Sequence, residues 1–154
     1  GWDWLANISW FGTPSMATVT IIVVSIWQNI GFLMIIYTAG LQTIPKDVME
    51  SAELDGCSGL KKVLKIELPL LMPTVTINLF VSISGAFKSF DIPNAMTGGG
   101  PYGSTMPVAM NIYQEAFTKY NLGYGSAKSV ILFLTVAAVT LIQLYCTRKK
   151  EVEY

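Results

Sequence analysis

Hydrophobic and polar positions alternate along this chain on the scale of whole segments rather than single residues. No charged side chain occurs between Asp3 and Lys46, and the run from about Pro14 to Leu41 is built mainly from Ile, Val, Met, Phe and Trp. A second uncharged stretch, Leu68 to Phe87, carries Pro69 and Pro73 in its first turns, where a helix tolerates proline best. The third runs from Ser129 to Thr147 and stops at Arg148, Lys149 and Lys150. The hydrocarbon core of a bilayer is about 30 Å thick and takes about 20 helical residues to cross. One such run could be a buried helix of a soluble protein. Three of this length predict spans over about residues 14–41, 68–87 and 129–147, and hence an all-α membrane protein with three transmembrane helices.

Composition supports that class and removes several others. The 154 residues are 52% hydrophobic and only 13% charged, which is unusual for a soluble domain. Ten basic and ten acidic residues balance, so no overall charge points to nucleic acid. The absence of histidine removes the commonest general base and imidazole metal ligand. Cys57 and Cys146 match no ligand spacing and read as reduced thiols, so no metal site is predicted. Gly1 opens the chain without an initiator Met or a visible signal peptide, as a fragment of a longer chain would begin.

The distribution of the charges sets an orientation. Lys46, Lys61, Lys62 and Lys65 lie between the first two spans, and Arg148, Lys149 and Lys150 follow the third. The other side receives three basic residues, of which Lys88 and Lys128 sit at span ends and are free to snorkel. Residues 43–67 and the tail are therefore predicted to be cytoplasmic, and residues 88–128 to form the outer loop. Trp2, Trp4 and Trp10 precede the first span as interfacial anchors would.

The cytoplasmic segment carries helix signals of its own. Thr43 or Ile44 precedes a proline at the first helical position, Asp47 and Glu50 suit the positive end of the helix dipole, and Gly56 is placed for a C-terminal cap. Val48, Met49 and Ala52 share one face by spacing. After Gly56, Ser58 is placed to cap a second short helix, in which Leu60, Val63 and Leu64 face one way and Lys61, Lys62 and Lys65 face water or headgroups. A solvated connector and a docking element both fit these signals.

The spacing within this loop carries a family resemblance. Glu50-Ser51-Ala52, three further residues ending in Asp55, then Gly56, nine residues, Ile66, one residue, and Leu68-Pro69 resemble the cytoplasmic EAA loop of ABC-importer permeases. Ser51 stands where the family motif has alanine, a small-for-small change. The resemblance implies a coupling helix over Glu50–Gly56 that docks on a separate ATP-hydrolysing subunit. It also implies that the three spans are the C-terminal half of a six-span type I importer permease fold, so that residues 1–154 form part of a single permease domain.

The outer loop adds a narrower resemblance. Phe90-Asp91, then Met96-Thr97-Gly98-Gly99-Gly100-Pro101, and later Ile112-Tyr113, Ala116-Phe117 and Gly123-Tyr124-Gly125-Ser126-Ala127 look like the carbohydrate-uptake permeases of the maltose, oligosaccharide and glycerol-phosphate type. From the residues alone, the three glycines and the proline mark a loop with unusual dihedrals, with a plain turn as the ordinary alternative. The resemblance implies a docking surface for a solute-binding protein over about Asp91 to Tyr102, with Asp91, Gly98, Gly99, Gly100 and Pro101 as its candidate residues. Polar residues inside the spans, Gln28, Asn29, Asn78 and Gln143, should face the bundle or a wet pathway, with interhelical hydrogen bonding as the ordinary explanation. Among them Asn78 is the first candidate for a translocation path, followed by Gln28 and Asn29.

The implied partners are ABC ATPase subunits, a second permease subunit (identical or different), an extracytoplasmic solute-binding protein and the lipid of a bacterial or archaeal plasma membrane crossed several times. No cofactor is expected on this chain, since ATP and Mg would bind the partner ATPase. Two other classes compete. A membrane-embedded enzyme would need an intramembrane nucleophile or carboxylate pair, and no Asp, Glu or His lies within a predicted span. A truncated, non-transporting scaffold that docks an ATPase would share the cytoplasmic loop.

Overall fold

The computed structural model describes residues 9–149, and those residues form helices and connecting turns with no strand among them. In chain order the helices are α1 (Pro14–Gln42), α2 (Lys46–Leu54), α3 (Gly59–Lys62), α4 (Leu68–Leu70), α5 (Met72–Phe87), α6 (Asp91–Thr97), α7 (Val108–Tyr113) and α8 (Leu122–Arg148). One π-helical turn over Val63–Glu67 joins α3 to α4, and another over Gln114–Thr118 follows α7. The chain divides into two compact units. One takes the described residues up to Asn29 with Gly85–Val136, and the other takes Ile30–Ser84 with the described residues from Ala137 onward. Trp2, Trp4 and Lys150 lie outside the described residues.

Two helices, α1 and α8, are long and apolar enough to cross a membrane, and α3–α4 with α5 make a third candidate if the bent pair is one span. The chain keeps little apolar bulk inside: Met110 is its one fully buried large side chain among the described residues. Val19, Val23, Ile26, Ile35, Ile131 and Phe133 are all exposed, an arrangement that water would penalise and that lipid or a neighbouring protein would cover. Hydroxyls on the long helices are satisfied within their own helix. Thr18, Thr20, Thr38 and Thr135 each donate to the carbonyl four residues back, at 2.8 Å, so none has to find a partner in the hydrocarbon.

Three expected boundaries shift, each for a visible reason. The interval 68–87 is not one straight helix, because α3–α4 and α5 are bent by 68° across Leu71. Pro73 supplies no N–H to the carbonyl of Pro69 and its ring crowds that carbonyl, while Pro69 does the same to Lys65 in the π-helical turn before it. The third helix starts at Leu122 rather than Ser129, because Lys128 is held by neighbouring groups and does not interrupt it. The outer segment is not a plain turn either, since α6, α7 and a π-helical turn occupy much of 91–118.

Close approach of α5 to α1 depends on Gly40, which is buried. A Cβ there would collide with the Oγ1 of Thr74 and lie 2.8 Å from its Cβ, so the two helices meet at a distance that only glycine permits. Gly40→Val is expected to destabilise the fold by about 1–3 kcal/mol through overpacking, read as a lower thermal midpoint in detergent. An unchanged midpoint would contradict this contact.

Candidate functional site

The motif-bearing loop is built around α2. Its N-terminus differs from expectation: Pro45 is the cap residue, with extended ψ of 135°, and the helix starts at Lys46. Thr43 is unavailable for capping because its hydroxyl closes α1 by donating to the Gly40 carbonyl at 2.7 Å. At the other end α2 stops at Leu54 with Asp55 as cap, followed by Gly56 at φ 72°. The Cys57 N–H donates to the Ala52 carbonyl at 2.9 Å and the Gly56 N–H to the Glu53 carbonyl at 3.0 Å. This paired pattern is a Schellman cap, which needs a left-handed residue at Gly56 and favours an apolar contact between the flanking positions. Ala52 and Cys57 are both buried.

The cap fixes which groups α2 presents. Glu50, Ser51 and Asp55 are exposed with Gly56, and Leu54 is 90% exposed. Ile66 and Pro69 are half-buried and Leu68 is exposed. The motif therefore combines a displayed part, Glu50 to Gly56, with a part that holds the start of the next helix.

The second half of the loop corrects two expectations. Ser58 occupies the cap position of α3, but its side chain makes no capping bond. Leu60, Val63 and Leu64 are exposed, and Lys62 is the residue turned inward. Lys62 is drawn in by Glu53, to which it donates at 2.7 Å. This hydrogen bond and the Lys62 charge hold the Glu53 carboxyl below its ordinary range, and the same hydrogen bond raises the Lys62 ammonium. The pair ties α2 to α3 across the Gly56 turn.

The polar span residues have separate fates. Gln28 and Asn29 are exposed, and Asn29 is satisfied within its own helix through the Ser25 carbonyl at 2.8 Å. Gln143 reaches from α8 toward the Thr76 carbonyl on α5 at 3.4 Å, and its Oε1 is buried without a partner. Asn78 is 2% exposed, and neither of its amide atoms has a hydrogen-bond partner. An orphaned buried amide costs about 1–3 kcal/mol, so Asn78 is a liability within this chain taken alone.

On the outer segment, Asp91 opens α6 and is exposed, and Gly98 caps α6 in the left-handed conformation. Gly99 is buried, so it forms the base of the glycine turn and is no contact surface; Gly100 and Pro101 are half-buried. The exposed tip is Tyr102, at the far end of the expected docking stretch. The motif reading missed Glu115, a buried carboxylate. Its two oxygens take Asn121 Nδ2 at 3.1 Å and Lys119 Nζ at 3.1 Å, with Lys128 Nζ at 3.6 Å. The Asn121 hydrogen bond and then Lys119 hold this carboxyl below its ordinary range. Lys128 also donates to Asn111 Oδ1 at 2.8 Å and lies 4.3 Å from the Tyr124 ring centroid. Lys128 is therefore paired rather than snorkelling. The i, i+4 spacing of Glu115 and Lys119 was the sequence signal for this cluster.

Residues 3–152 match the binding-protein-dependent transport system inner membrane components. The chain belongs to that family. It is 37% identical over 150 residues to the probable starch degradation products transport system permease protein AmyD of Thermoanaerobacterium thermosulfurigenes, covering 97% of this chain and 51% of that one. It is 40% identical over 145 residues to the sulfoquinovosyl glycerol transport system permease protein SmoG of Agrobacterium fabrum, covering 94% and 47%. It is also 36% identical over 138 residues to a putative ABC transporter permease protein, ORF1, of a Caldicellulosiruptor species, covering 90% and 99%. The chain thus spans about half the length of the first two relatives. By its family and its long apolar helices it is a membrane protein.

Two predictions follow from the loop geometry. Gly56→Val introduces a β-branched side chain at φ 72° and should cost about 1–2 kcal/mol. Fraying of the α2 C-terminus is expected, measured as faster hydrogen exchange at the Gly56 and Cys57 amides; native-like protection would refute it. Because the folded Glu53 pKa is depressed, its contribution to stability is full above the unfolded carboxylate value and is lost as pH falls through the lower folded one. Lys62→Met should return Glu53 toward the ordinary range in a carboxyl NMR titration, and an unmoved titration would show that the pair does not form.

Proposed function

We propose that this chain forms half of the membrane-spanning permease subunit of an ABC importer for sugars, with α2 as the helix that docks on a separate ATPase subunit. The observation that carries this reading is the exposed Glu50–Gly56 segment, displayed by a rigid cap and ion-paired to α3. The sugar class rests on the names of the relatives, which include starch degradation products and sulfoquinovosyl glycerol. ATP and Mg bind the partner subunit, and this chain carries no hydrolytic step of its own.

The mechanism on this reading is alternating access in a plasma membrane crossed several times. ATP closes the ATPase pair, α2 moves with it, and the spans swing the pathway from one face to the other. Glu50 offers a carboxylate to a basic residue of the ATPase, Ser51 and Ala52 allow close approach, and Asp55 and Gly56 end the helix. Ile66, Leu68 and Pro69 carry the displacement into α5. A second permease subunit, identical or different, covers the exposed apolar faces together with lipid. Asn78, Gln28 and Asn29 serve a polar pathway, since each offers an amide at membrane depth. Asp91, Gly98, Gly100 and Pro101 lie on the segment that meets an extracytoplasmic solute-binding protein.

Reversing the charge of the displayed helix separates docking from folding. Glu50→Lys should reduce co-purification of the ATPase by about tenfold, the scale of one charged hydrogen-bonded contact, while insertion into the membrane fraction stays at the wild-type level. Retention of the ATPase at the wild-type ratio would remove Glu50 from the interface.

A further inference from the structure

Tyr102 and Tyr120 are the two non-glycine residues with positive φ among the described residues, at 54° and 59°. Both lie on the outer segment and within one compact unit, and both are almost fully exposed, at 97% and 85%. In the left-handed region a Cβ crowds the backbone, so such positions usually fall to glycine, asparagine or aspartate.

The two turns are of different kinds. Tyr102 and Gly103 both have positive φ, and the Ser104 N–H donates to the Pro101 carbonyl at 3.0 Å. These are the marks of a type I′ turn, whose central positions favour Asn, Asp and Gly. Tyr120 instead ends a helix. The Lys119 and Asn121 N–H groups close on the Gln114 and Glu115 carbonyls at 2.9 and 3.0 Å, which leaves Tyr120 in the cap position that glycine usually fills. Exposed as they are, neither ring buries enough apolar area to offset its backbone conformation. Strain held at an exposed turn with no return inside the chain is a pointer to function.

Both turns are also fixed in advance. Below Tyr102, the Thr97 and Thr105 hydroxyls bond at 2.7 Å, and Thr105 Oγ1 donates to the Gly100 carbonyl at 2.7 Å. Beside Tyr120, Glu115 takes both Lys119 and Asn121. Pre-organisation of this kind lowers the ordering cost of binding, and tyrosine is among the side chains most enriched at interface hot spots. Residues 97–107 contain no charged side chain, so recognition at the Tyr102 turn rests on burying the ring.

We propose that Tyr102 and Tyr120 are the aromatic anchors by which the outer segment engages the solute-binding protein, each ring entering an apolar pocket of that partner. The proposal rests on the import reading above. The occupant follows from membership of a binding-protein-dependent family and from the charge bias that assigns this segment to the outer face. The competing occupant is the lipid headgroup region, where tyrosine is also enriched.

The test uses the assembled importer in nanodiscs and its purified solute-binding protein carrying a fluorophore, with Kd read by anisotropy. Absence of binding to the wild-type importer would sink the import reading and this inference with it. Given wild-type binding, Tyr102→Gly and Tyr120→Gly should each raise Kd about tenfold, while the thermal midpoint stays level or rises because the strained conformation is relieved. Tyr102→Asn and Tyr120→Asn, which keep the turns and remove the rings, should weaken binding to the same degree. A Kd within twofold of wild type in all four variants would overturn the proposal and leave the import reading standing. If those variants instead lost fluorescence quenching by brominated lipids, the rings would belong to the membrane interface.

Discussion

Hydrocarbon offers no hydrogen bonds, so each polar group carried into it must be satisfied by the chain itself or by something that covers it. Thr18, Thr20, Thr38 and Thr135 meet this condition by bonding back along their own helices, and Asn29 does so through Ser25. Lys128 meets it by a different route. It lies inside α8, and its ammonium is shared among Glu115, Asn111 and the Tyr124 ring. Without that set the helix would have to start after Lys128, as its charge suggests. With it, α8 begins at Leu122 and the outer segment is tied to the helix that follows.

The same constraint separates what the amino-acid pattern discloses from what it hides. The long uncharged runs mark α1 and α8, because composition alone decides which segments avoid water. The C-terminal end of α2 is nearly as legible: Gly56 must take a left-handed φ, and the fixed spacing from Glu50 to Pro69 singles out the loop. What stays hidden depends on partners distant in sequence. Lys62 reads as a solvated lysine until Glu53 is found 2.7 Å away. Lys128 reads as a span boundary until Glu115 is seen beneath it. The bend at Leu71 is a middle case, since Pro69 and Pro73 announce a disturbance but not its 68° size.

The backbone conformation of Tyr102 and Tyr120 was hidden for another reason. Backbone sign is not written in residue type, and a tyrosine in a turn looks like any exposed aromatic until its φ is known. The glycines beside Tyr102 drew attention to the loop, yet Gly99 is buried and works as its base. The residue that departs from local preference is the one the glycines display. Local rules fail most informatively where a strained residue is exposed, because nothing inside the chain offsets it.

The loop over residues 43–67 is held in two places. The Schellman cap joins Ala52 to Cys57, and the Glu53–Lys62 pair joins α2 to α3, so α2 is tied to α3 both along the capped turn and across it. Beyond α3 the backbone passes through a π-helical turn and the break at Leu71 before it enters α5. Asn78 lies on α5 beyond that break, and its amide has no partner in the arrangement seen. An angle change that gave this amide a partner would recover part of the roughly 1–3 kcal/mol that its isolation costs. The orphaned group therefore favours any arrangement of α5 that gives its amide a partner.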